Sequence, residues 1–130
     1  MSKGQPNMRV YFKRKYISLS RPTITLLGSP PYLVFMFDEP NERLIVLPAF
    51  EETLNTYEIP KYFWEDKDQS CQIYRFPFFL TLQKKFNWKP DRIYIVEGIY
   101  QFLEGKQKLV VFNFADTIEM PYNQGGALDG

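Results

Sequence analysis

The chain has no histidine, a single cysteine, and only seven glycines scattered through its 130 residues. Without an imidazole there is no Ser-His-Asp triad, no histidine-bearing zinc centre and no proton relay tuned near neutral pH. The one cysteine, Cys71, closes no intrachain disulfide and builds no thiolate cage within one chain. A lone cysteine opening a strand reads as small buried filler rather than as a nucleophile. The glycines form neither a G-x-G-x-x-G run nor a P-loop, which excludes a phosphate cradle of either kind. No apolar run approaches the roughly 18 residues that span a bilayer, and "MSKGQPNMRV" lacks the apolar stretch of a signal peptide. A cytoplasmic protein is expected, with no membrane, cofactor, metal or small-molecule substrate. Asp38, Glu39 and Glu42 lie close together, but in a turn where Asp, Pro and Asn serve the backbone. No enzymatic activity is expected.

Aromatic residues are abundant: 12 Phe, 9 Tyr and 2 Trp, gathered in runs such as "IYRFPFF" and "KYFWED". That is more flat apolar surface than a core of this size ordinarily uses, so part of it is expected to face a partner, with a homodimer or larger assembly as the outcome. Phe78, Trp88, Tyr94 and Tyr100 are the candidate interface residues. The charge is uneven although the net is only +1. Residues 1–21 hold six cationic side chains and no acidic one, whereas the rest of the chain carries ten basic against fifteen acidic residues, with the acidic excess between positions 38 and 68.

Residues 1–8 are expected to form a flexible arm, and residues 119–130, rich in Gly, Pro, Asn and Gln, a flexible tail. Between them one β-rich domain, residues 9–118, consists of two halves, 9–48 and 71–118, joined by an acidic connector. In the first half "RVYFKRKYISL" alternates in part, and "YLVFMF" followed by the turn "DEPNER" and "LIVLP" predicts a hairpin of residues 32–37 against 44–47. "RPTITLLGSPP" is expected to be extended or turn-like, because two threonines, an isoleucine and an entering proline disfavour helix. The connector shows no sustained period beyond a helical turn near residues 50–55. In the second half "CQIYRF" is a strand. Pro77 then opens a helix over 77–86, whose Phe79, Leu82 and Phe86 share one face. Asn87 suits a left-handed cap and Pro90 stops the ladder. "RIYIVEGIYQFLE" and "KLVVFNF" form a second hairpin around Gly105, with Gly98 marking a bulge or a close backbone approach. "SPPYLVF" can be laid on "KPDRIYI", so the halves read as an internal duplication. The fold class is mainly β with a minor α component.

The stretch "YRFPFFLTLQKKFNWKPDRIYIVEG" resembles the swapped-hairpin unit of AbrB-like transition-state regulators: an apolar strand ending in proline, an amphipathic helix, a tight turn and two strands. Pro77 stands in the proline place, and Pro90–Asp91 where the family has Gly-Asp. Two such units in one chain are similar to the MraZ branch, although "DEPNER" sets Asp38 and Arg43 one position further apart than that branch's Asp-three-residues-Arg pattern. The resemblance implies a swapped-hairpin barrel and a self-associating, antitoxin-like module that binds a protein partner. The alternative it implies is a transcriptional regulator that binds duplex DNA. In that case Arg9, Lys13, Arg14, Lys15 and Arg21, assisted by Lys84, Lys85 and Lys89, would position phosphates.

Overall fold

The computed structural model describes residues 4–121, which are mainly β. The chain opens with a hairpin of β1 (Asn7–Tyr11) and β2 (Tyr16–Leu19). Met8, Val10, Ile17 and Leu19 all point inward and are fully buried. The strand thus begins inside the segment expected to be a flexible arm, because Met8 is a core residue; residues 1–3 of that arm lie outside the described residues. Next comes α1 (Arg21–Leu26), where an extended segment was expected. Pro22 sits in its first turn, where a missing amide costs no hydrogen bond. Ile24 and Leu27 are buried against the barrel, which outweighs the weak helix propensity of the β-branched residues.

The strands β3 (Tyr32–Asp38) and β4 (Arg43–Ala49) form the expected first hairpin. The connector is more ordered than its sequence suggests: β5 (Tyr57–Glu58) pairs with the start of β3, and α2 (Lys61–Glu65) follows Pro60. Residues 50–55 form no helix, since the buried anchors of this region, Ile59 and Phe63, come later. Then follow β6 (Cys71–Ile73) and α3 (Phe79–Phe86), whose helix begins two residues after Pro77. Asn87 ends it with φ 53° and ψ 42°, the left-handed cap its side chain tolerates. The second hairpin joins β7 (Arg92–Leu103) to β8 (Gln107–Asn113), and β9 (Ile118–Pro121) returns to pair with the beginning of β7. Residues 119–121 of the expected tail are therefore strand, held by the β7 ladder; residues 122–130 lie outside the described residues.

Among the described residues the strands form one antiparallel sheet, ordered β5-β3-β4-β8-β7-β1-β2-β6 with β9 also on β7, curled into a nearly closed barrel. Strand β7 makes the corner. Up to Glu97 it pairs with β1, and from Gly98 onward with β8. The Gly98 amide donates to the Pro6 carbonyl at 2.8 Å, and a Cβ there would stand 2.7 Å from Phe112 Cε1 and 2.8 Å from Val110 Cγ1. Gly98 thus marks the close approach expected of it, at the point where the strand bends between two faces of the barrel.

Strand, helix and hairpin follow one another in the same order in β2-α1-β3-β4 and in β6-α3-β7-β8. Corresponding strands also pair with each other, β2 with β6 and β4 with β8, both antiparallel. Tyr32 and Arg92, which the overlay of "SPPYLVF" on "KPDRIYI" brings together, are each the first residue of their strand.

Candidate interaction surfaces

The aromatic surplus is largely spent inside. Trp88 stacks on Tyr94 with ring centroids 4.4 Å apart and 9° between planes, and both are buried. Phe86, Phe114 and Phe12 close around this pair, while Phe76 bridges Phe35, Phe78 and Phe79. The Tyr94 hydroxyl accepts from the Lys89 amide and donates to the Glu119 carboxylate, both at 2.7 Å. Burial raises its pKa above the ordinary phenol value. Of the four residues expected at an interface, Trp88 and Tyr94 are therefore core, because each ring completes an internal stack. Phe78 and Tyr100 are half-buried and packed against the same core. Leu82 is buried as expected, with Phe79 and Phe86 half-buried beside it.

Both aromatic and aliphatic side chains remain exposed, among them Phe50, Trp64, Tyr74 and Phe102, but the exposed side chains that line up across strands are aliphatic. In β3, Leu33, Phe35 and Phe37 face the core, which leaves Val34 and Met36 on the outer face. Register carries that face across four strands: Met36 lies opposite Ile45, Ile45 opposite Val111, and Val111 opposite Ile99. A second row runs from Val34 to Leu47 on β3 and β4, with Leu109 on β8 continuing the face beside Gln101 on β7. Leu103 extends its edge. Met36, Ile99 and Leu103 are 53%, 60% and 47% exposed. Leu109 and Val111 are buried, yet belong to neither cluster of the core. At the rim, Arg43 Nε donates to Asp38 Oδ2 at 2.8 Å. The Asn41 amide and Arg43 hold the Asp38 carboxyl below its usual pKa.

The basic residues divide among several places. Arg21 is a brace: its Nη2 donates to the carbonyls of Phe63, Asp66 and Gln69 at 2.7, 2.8 and 3.1 Å, and its guanidinium lies 3.7 Å from the centroid of the Phe63 ring. These interactions remove it from a phosphate-facing set. Arg9 and Arg14 line a polar concavity of about 460 Å³ on the outside of β1, β2 and β6, together with Ser18, Ser20 and Gln72. Lys15, in the β1–β2 turn at φ 60°, lines a different hollow of about 480 Å³ against α3. Lys13, Lys84 and Lys89 are exposed. Lys85 turns away toward Glu39 and Glu42, at 3.9 and 3.8 Å.

Cys71 is fully buried, and burial pushes its thiol up to about 12, so at neutral pH it is an unreactive core thiol. Among the described residues no group of three or more His, Cys, Asp or Glu is placed to hold a metal ion. No described helix is long and apolar enough to cross a membrane. Comparison of the chain with family models, with curated proteins and with solved structures found no match.

Proposed function

We propose that this chain is a small, non-catalytic interaction module that associates with itself through the outer face of the β3-β4-β8-β7 sheet. The observation that carries this reading is the run of aliphatic side chains across four strands with three of them about half exposed. Four strands at about 4.8 Å spacing, with side-chain rows roughly 7 Å apart, give an apolar centre on the order of 300 Å². That is a fitting core for an interface of about 800 Å² per partner once its polar rim is added. A second copy is the occupant this face suits best. The rows hold no charge that would call for an opposite one, interfaces between identical chains are the more apolar kind, and the Asp38–Arg43 pair at the rim carries both signs. The repeated strand–helix–hairpin order supports the AbrB-like part of the reading.

Sedimentation velocity tests it. The wild-type chain should run at twice its own mass at tens of micromolar. Met36→Lys combined with Ile99→Lys should run as a monomer at the same tens of micromolar, with unchanged circular dichroism. A wild-type chain that stays monomeric at several hundred micromolar would overturn the reading, as would a double variant that still dimerises at tens of micromolar.

A further inference from the structure

The hollow against α3 and one loop of the connector have opposite and matching characters. Phe12, Tyr74, Phe79, Leu80 and Pro90 give the hollow an apolar lining, with Leu80 69% and Tyr74 59% exposed. One lining residue is cationic, and several lining residues have cationic neighbours in the chain. Lys15 lines it, Lys13 shares the same turn, Arg75 follows Tyr74, Lys84 follows Gln83, and Lys89 precedes Pro90. Asp91 is the acidic neighbour in sequence, and Glu119 is engaged by the Tyr94 hydroxyl. Lys15 of the first basic group thus lies on an apolar floor whose other walls, at Tyr74, Gln83 and Pro90, adjoin members of the second basic group in sequence.

The loop of residues 50–54, "FEETL", has the reverse composition. Phe50 is 65% exposed and Leu54 is 103% exposed, so Leu54 makes no covering contact at all, and Glu51 and Glu52 stand exposed between them. Two apolar anchors flanking two carboxylates are the complement of an apolar hollow with a cationic rim. The loop does not serve its own hollow. It leaves the Ala49 end of β4, whereas α3 lies at the other end of that strand, where Lys85 approaches Glu39 and Glu42 of the β3–β4 turn. Seven residues of strand separate the two ends by about 20 Å.

We infer that the hollow formed by the β1–β2 turn and α3 receives the 50–54 loop of a second copy of this chain, giving a head-to-tail contact in addition to the two-fold sheet-face contact. This rests on the reading of the chain as self-associating but uses different residues. Such a contact is heterologous, and it closes into a ring or continues as a filament depending on the rotation between copies. It also gives the charge asymmetry of the sequence a role: the basic first segment and α3 meet the acidic connector of the neighbour.

The test uses the full chain with the sheet face blocked by Met36→Lys and Ile99→Lys. Sedimentation at several hundred micromolar should still show reversible association that weakens at least tenfold between 50 and 500 mM salt. Leu80→Asp, or Phe50→Ser with Leu54→Ser, should abolish it; all three positions are exposed, and circular dichroism verifies the fold. Two charge-reversed chains, one with Glu51→Lys and Glu52→Lys and the other with Lys84→Glu and Lys89→Glu, should each be monomeric alone and should associate when mixed. No association in the blocked background, indifference to Leu80→Asp, or a mixture that stays monomeric overturns the inference. So does a duplex oligonucleotide that binds these lysines equally well in wild type and Leu80→Asp, since the hollow would then be a phosphate-following surface. Failure of the sheet-face reading is separately visible, as a dimer at tens of micromolar that ignores Met36→Lys and Ile99→Lys.

Discussion

Arg21 ties the start of α1 to α2 and the segment after it from one position. Its nitrogen shares hydrogens among three backbone carbonyls of the segment from Phe63 to Gln69, and its flat face covers the buried Phe63 ring. Carbonyls left without that donor would turn to water or to nothing. Arg21→Ala should therefore lower stability by about 2 kcal/mol, in the range for hydrogen bonds to a charged group discounted for partial exposure. Arg21→Lys should recover little of it, because an ammonium offers neither the planar face nor the fork. Urea midpoints of the three proteins check this. A loss under 0.5 kcal/mol for Arg21→Ala would mean the contacts are superficial. In sequence Arg21 was grouped with Arg9, Lys13, Arg14 and Lys15 because a cationic run without acids looks solvated. Only the arrival of α2 beside α1 shows that it faces inward.

Strand β7 carries the geometry of the barrel, and Gly98 is where it changes partners. Two glycines of this hairpin separate steric from conformational cost. At Gly98 a methyl would meet the ring of Phe112 and the side chain of Val110 well inside contact distance, and both of those residues are fully buried. Gly98→Ala should cost about 3 kcal/mol, at the upper end for overpacking. Gly105 has φ 79° but nothing within 4 Å of an added Cβ. Gly105→Ala should cost about 1 kcal/mol, the strain of a left-handed alanine alone. Denaturant unfolding of both variants checks the contrast, and equal losses would show that the corner relaxes. The sequence marked both glycines through the apolar pattern on either side. It misplaced α1 and the connector helix for a shared reason: six- and five-residue helices have too few periodic positions to announce themselves, and they form because Ile24, Leu27 and Phe63 find a barrel to cover.

For the whole molecule, folding and association should be linked if the sheet face is an interface between copies. The melting temperature of the wild type should rise by about 2–4 °C for each tenfold increase in concentration, and that of Met36→Lys with Ile99→Lys should not. Differential scanning calorimetry over two decades of concentration measures this, and a flat wild-type profile would count against a dimer. The sequence by itself determined the mainly β class, both hairpins, α3 with its Asn87 cap and the close approach at Gly98, because period, turn chemistry and caps act among residues near in the chain. It also held a trace of the sheet face. "YLVFMF" is apolar at every position, and a strand in a barrel can bury only one of its two faces, so Val34 and Met36 were already one face too many. Which aromatic rings were core and which apolar surface stayed outside was decided only by the tertiary structure. Trp88 and Tyr94 left the interface set because they stack on each other and meet Phe12 edge-on, with Phe114 edge-on to Trp88, residues brought together from both ends of the chain. The exposed hollow likewise exists only because the β1–β2 turn lies against α3, and no local pattern in a sequence records which distant neighbour a residue will meet.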